Sequence, residues 1–176
     1  MLPVVACASA PAAPEPLLQP QDLQGLSVDD AVPDAFPPGA LEDCPGERDP
    51  HLDLSGSAGT WNYYIDLEEG GREGLTTAVH APDADVLDAV LDYAARCSRP
   101  PEVTTDEDAA REVARAADLP EDAVTIYRSG DTGWPRAYAV VGTDLVLVEV
   151  GPRLVPEVDL VELMASAVSR VRENSE

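Results

Sequence analysis

Residues 60–80 read TWNYYIDLEEGGREGLTTAVH, and their pattern decides the fold class. Trp61, Tyr63, Ile65 and Leu67 fall on one side of a period-two repeat, and Asn62, Tyr64, Asp66 and Glu68 on the other. That alternation predicts a half-buried strand, with Trp61 and Tyr63 in the core. Glu69-Gly70-Gly71-Arg72 supplies a turn, and residues 75–80 make the return strand, so the pair reads as a hairpin.

Working outward, three further strands are expected at 123–128 (AVTIYR), 137–142 (AYAVVG) and 145–150 (LVLVEV). Gly142-Thr143-Asp144 is a tight turn that makes the last two a second hairpin. The segment LVLVEV is apolar on both faces, as a central or doubly covered strand requires. Pro82-Asp83 opens a helix that brings Val86, Val90 and Cys97 onto one face before Pro100-Pro101 stops it. Thr105 with Asp108 loosely matches a capping box and starts a second helix, ended by Pro120. Pro156-Glu157 opens a third, running to about Arg172 with Leu160, Leu163, Met164, Ala167, Val168 and Val171 apolar. Residues 27–57, with five prolines, read as irregular coil, and 17–26 (LLQPQDLQGL) as a short helix or turn leading into the domain. Hairpins make a sheet antiparallel, so the expected fold is α+β: about five strands with two hairpins, two to three helices, and a disordered N-terminal tether. Residues 1–20 form that tether and residues 21–176 a single domain.

With 176 residues and a 44% apolar content, the chain can build a core. Its net charge of −23 disfavours nucleic acid and anionic membrane surfaces as partners. The acids are spread along the chain, as solubility alone would have them. All eleven basic residues are arginines, which fits a high-GC genome, with a halophilic surface as the competing reading. Without lysine, Schiff-base chemistry, a Walker-type phosphate loop and a Ser-Lys dyad are excluded. No apolar run reaches the roughly 18 residues of a membrane-spanning helix.

Val4-Val5-Ala6-Cys7 resembles the bacterial lipobox, in which small apolar residues precede a cysteine that becomes lipidated. The resemblance implies cleavage before Cys7 and membrane anchorage through it, with the Ala/Pro-rich residues 8–20 as a semi-rigid spacer. Only six residues precede Cys7, fewer than a signal peptide needs, so the expectation includes a start codon upstream of Met1 or a trimmed chain. The competing reading is a cytosolic protein with a chance VVAC. Cys44 and Cys97 then remain, an even number with no metal-type spacing. In an oxidising compartment they read as one disulfide closing a loop of roughly 50 residues; the alternative is two buried free thiols.

Catalytic motifs are sparse. His51 lies in a Pro/Asp coil and His80 ends a strand, neither with a partner at ligand spacing. Ser55-Gly56-Ser57-Ala58-Gly59 is not a nucleophile elbow, and Asp83 with Asp85 lacks the other ligands of a calcium loop. No metal or cofactor is expected. The most suggestive exposed element is SGDTGWPR, residues 129–136, where Trp134 stands in a polar loop between Arg128 and Arg136. These three are the candidate ligand-binding residues; the competing reading folds Trp134 back onto its own hairpin.

The tether after a lipobox cysteine, the opening LLQPQDLQGL, the hairpin, the helix LDAVLDYAARC and the closing helix together resemble the PknH-like extracellular sensor domains of actinobacteria. The resemblance covers about residues 15–173 and rests on order and texture. Such domains commonly carry two disulfides, where this chain has cysteines for one beyond Cys7. It implies a non-catalytic domain outside the cytoplasmic membrane that binds a ligand in a groove. The resulting expectation is an envelope-anchored lipoprotein whose domain binds an envelope ligand or protein partner. The alternative is a structural or assembly lipoprotein acting through protein contacts, and an enzyme comes third.

Overall fold

Thr60–Asp66 (β2) and Arg72–His80 (β3) form the expected antiparallel hairpin in the computed structural model, which describes residues 16–34, 60–80, 88, 89, 92, 104–129 and 134–175. Gly70 and Gly71 both take positive φ at its turn, the backbone region that favours glycine. The second expected hairpin is Trp134–Val141 (β6) with Asp144–Val150 (β7), joined at Gly142 with φ of 63°. Val124–Ser129 (β5) pairs with β6, and the two-residue strand Thr104–Thr105 (β4) pairs with β5. β3 lies against β7, which welds two antiparallel meanders into one sheet; with Ser27–Asp34 as β1, its order is β1-β2-β3-β7-β6-β5-β4. The fold is therefore α+β, with six full strands and the short β4 at one edge.

One strand was not expected. Ser27–Asp34 (β1) lies within the stretch read as coil and pairs along β2. Asp29, Asp30 and Pro33 imitate a loop in the sequence. At a sheet edge they are tolerated, because Pro33 need not donate into the ladder and a register shift between Val28 and Asp30 absorbs the irregularity. Acids and proline also blunt the edge against unwanted pairing.

Two helices pack on one face. Glu107–Ala116 (α1) is capped by Asp106, whose Oδ1 accepts from the Ala109 N–H at 3.0 Å, so the cap sits one residue after the expected Thr105. Pro120 does not stop it; α1 ends at Ala116, and Asp118 takes a left-handed φ of 52°. Leu160–Ser175 (α2) begins four residues later than expected, because Asp159 is its cap and accepts from Val161 N–H at 2.9 Å and Glu162 N–H at 3.2 Å. Its buried stripe is the one the sequence predicts, from Leu160 to Val171. Ala137 and Ala139 on β6, with Val146 and Val148 on β7, form the flat floor that α2 lies against. At the far end Arg172 donates to the carbonyls of Ala117 and Asp118, at 2.6 and 3.0 Å, satisfying orphan groups after α1.

The core begins before residue 20. Leu17, Leu18 and Leu23 are buried in it, Leu18 N–H donates to the Tyr63 hydroxyl at 2.8 Å, and Asp22 takes both Nε and Nη2 of Arg170. The end of the stretch read as tether is thus part of the domain, and Pro20–Leu23 is the expected short helix, of the tight 3-10 kind. Asp88, Ala89 and Asp92 are helical, in keeping with the helix expected after Pro82. Cys7, Cys44 and Cys97, and with them the lipid-attachment and disulfide expectations, lie outside the described residues.

Candidate functional site

The register of β5 with β6 separates the residues that the sequence places together. Tyr127 opposes Arg136, Arg128 opposes Pro135, and Ser129 opposes Trp134. Directly opposed residues share a face and successive ones alternate, so Arg128 and Arg136 emerge on opposite sides of the sheet. They do not bracket one surface. For Trp134 only the backbone is described, as the first residue of β6.

Arg136 faces away from the two helices and is only 12% exposed. It forms an ion pair with Glu149, directly opposite on β7 and itself 17% exposed. Arg136 also hydrogen-bonds Tyr138, which is fully buried; burial pushes the Tyr138 phenol up to about 12, against the pull of the guanidinium. Tyr127 meets Tyr138 edge-on, with ring centroids 6.1 Å apart. Across the next strands the polar line continues, since Thr76 opposes Glu149 and donates to Asn62 Oδ1 at 2.8 Å. His80, Leu145 and Leu147 are buried on this same face. Arg136 is thus engaged within the sheet, and the described contacts give it a structural role.

Arg128 faces the helices and enters a groove of about 630 Å³. Its Nε donates to Asp106 Oδ2 at 2.6 Å, and Asp106 is the cap of α1. The Ala109 N–H, then Arg128, hold the Asp106 carboxyl below the usual carboxylate range. One wall of the groove is α1, through Ala109 and Glu112; another is the start of α2. The third is the connection from β7 to α2, through Val155, Pro156, Glu157 and Val158.

That connection is pinned at both ends. Gly151 N–H donates to Gly74 O at 2.8 Å, and the Glu73 side chain lies over Gly151, its Cγ 2.6 Å from where a Cβ would stand, so a larger residue here would push that side chain aside. At the other end the Gln24 amide donates to Asp159 O at 2.8 Å and accepts from Asp159 N–H at 2.7 Å. Leu154 plugs the middle into the core. Walls fixed in this way make a groove that exists before any ligand arrives, which is the usual character of small-molecule sites.

Of the two candidate arginines, Arg128 lines this groove and Arg136 does not. Glu112, Glu157, Gln24 and the Val155–Val158 wall were not singled out. The available signal was the run GPRLVPEVDL, too apolar for a plain solvent loop, with Asp159 as a capping residue just before the apolar stripe. Among the described residues, no group of three or more His, Cys, Asp and Glu side chains converges as a metal site, and no helix is long and apolar enough to cross a membrane. Set against protein-family models, curated proteins and solved structures, the chain finds no match.

Proposed function

We propose that this chain is a non-catalytic binding domain, held at the outer side of a cell membrane by a lipidated Cys7, that takes its ligand in the groove beside Arg128. The observation that carries the reading is the groove itself, walled by α1, α2 and the pinned 151–159 connection. Its volume, about 630 Å³, falls in the range of small-molecule sites. Asp159 within it and Asp106 beside it are occupied as helix caps, so recognition falls to the other polar side chains of the lining, Glu112 and Glu157 among them. The Val4-Val5-Ala6-Cys7 resemblance supports the anchorage, and the resemblance to PknH-like sensor domains supports binding at the envelope. A second reading, docking to a protein partner, is favoured by Val32 and Tyr64, exposed on β1 and β2 and two positions apart in their register.

Two experiments test the proposal. Mass spectrometry of the chain made from an upstream-extended gene in a high-GC Gram-positive host should find diacylated Cys7 at the mature N-terminus. An unmodified Met1 with three free thiols would overturn the anchorage. Amide chemical-shift mapping with a mixed library of small fragments should place its hits at Ala109, Glu112 and residues 155–161. Hits confined to residues 28–34 and 60–66 would transfer the proposal to the protein-docking reading, and an absence of hits at the groove would end it.

A further inference from the structure

Resting on that groove as the ligand site, we infer that its ligand class is small organic cations: an apolar body bearing one ammonium, guanidinium or amidinium group. Among the described residues, four charged side chains line the groove: Glu112, Glu157, Asp159 and Arg128. Three are acids and one is basic, and the basic one is held by a fourth acid, Asp106, at 2.6 Å. Arg128 therefore offers an incoming anion little, since its charge is offset at contact distance. Asp159 directs its Oδ1 at the N–H groups of Val161 and Glu162. That leaves Glu112 and Glu157, on two different walls, as exposed carboxylates that enter no ion pair among the described residues. Between them the lining is aliphatic, with Pro135, Val155, Pro156 and Val158.

An anion entering here meets surplus negative charge on a protein of net charge −23, so the electrostatics reject it before shape is tested. A cation gains from the same field, and its apolar portion covers the aliphatic wall. A small molecule suits the site better than a protein chain. Its volume of about 630 Å³ is that of a small-molecule site.

The test is a matched set of probes on the full chain: phenethylammonium, phenethyl alcohol and phenylacetate, read by amide shift mapping. The three share a ring and linker of similar length and differ mainly in charge. The ammonium probe should move the amides of Ala109, Glu112 and residues 155–161 and bind about threefold to tenfold more tightly than the alcohol, the modest gain expected of solvent-touched ion pairs. Added salt should shrink that preference. Glu112→Gln with Glu157→Gln should abolish it, whereas Glu121→Gln, an exposed acid outside the groove, should preserve it.

Equal binding of ammonium and alcohol at the groove overturns the inference and leaves the groove reading standing, as does tighter binding of phenylacetate. If Glu121→Gln removes as much preference as the double groove variant, the attraction is the field of the whole acidic protein, and the inference falls. If library fragments strike the groove while no probe of this set does, the inference falls alone. If neither strikes it, both fall together.

Discussion

The two faces of the sheet are built from the same strands by the same alternation, yet they resolve burial differently. On one face Trp61, Ile65, Leu75, Val148 and Ile126 share one apolar cluster with the buried stripes of α1 and α2, and the interior is a hydrocarbon core. On the other, Ala78, Leu145 and Leu147 are buried just as deeply, but a polar line from Asn62 through Thr76, Glu149 and Arg136 crosses the strands beside them. The comparison shows how little a residue's type says about its task. Arg128 and Arg136, eight positions apart and both on paired strands, differ in role because one register step sends each to a different face.

The largest effect should come from breaking the charge pair on the second face. Arg136→Ala leaves Glu149 nearly buried with no counter-charge, and unfolding by denaturant should show a loss of about 3–5 kcal/mol. Replacing both with methionine should restore most of it, since two buried charges also carry a desolvation cost. A loss below about 1 kcal/mol for the single variant would mean that Glu149 is solvated, and the contrast between the faces would collapse.

Next in size is a matched pair of cavities. Leu163→Ala on the inner side of α2 and Leu147→Ala on the opposite face of the sheet should each cost about 2–5 kcal/mol, because both side chains are fully buried. A Leu147 cost far below that of Leu163 would show that the second face is loosely covered, and would move it from core to surface.

Tyr138 sharpens the same contrast through pH. Its phenol titrates near 12 when folded and near 10 when unfolded, so the folded protein holds the proton more tightly. The stabilisation is fully present below pH 10 and is lost as pH rises through 12, worth about 3 kcal/mol by linkage. Tyr138→Phe should flatten that part of the alkaline stability profile. An unchanged slope would mean that Tyr138 ionises as readily as an exposed tyrosine.

These contrasts explain what the sequence could disclose. Period-two alternation in TWNYYID and the glycine turns express local backbone chemistry, so both hairpins were legible. The apolar stripe of α2 was legible for the same reason, although its start was not. Pro156 sits in a connection pinned by Gly151 and Gln24, contacts separated from it in sequence. β1 was hidden because an edge strand may carry acids and proline that mimic a loop. The groove was hidden more completely: its walls come from five separate segments, and no single one carries a motif. Only its charge left a trace, as part of an acidity spread over the whole chain.

The smallest effect belongs to the exposed counterpart of the Arg136 pair. Asp106 and Arg128 are 26% and 33% exposed, so solvent screens their attraction. Asp106→Ala should nevertheless cost about 1–2 kcal/mol, because it also removes the cap of α1. Asp106→Asn separates the two terms: asparagine caps as well as aspartate but carries no charge, so it should cost under about 1 kcal/mol. The pH dependence follows from the lowered Asp106 carboxyl. Its contribution is present above the ordinary carboxylate range and is lost as pH falls through the lower folded value, so wild type and Asp106→Asn should converge in acid. If Asp106→Asn instead costs as much as Arg136→Ala, then the helix-side arginine is as deeply committed as its partner on the other face. Arg128 would then be a strut of the fold, and among the described residues no cation of the groove would be left to meet a ligand.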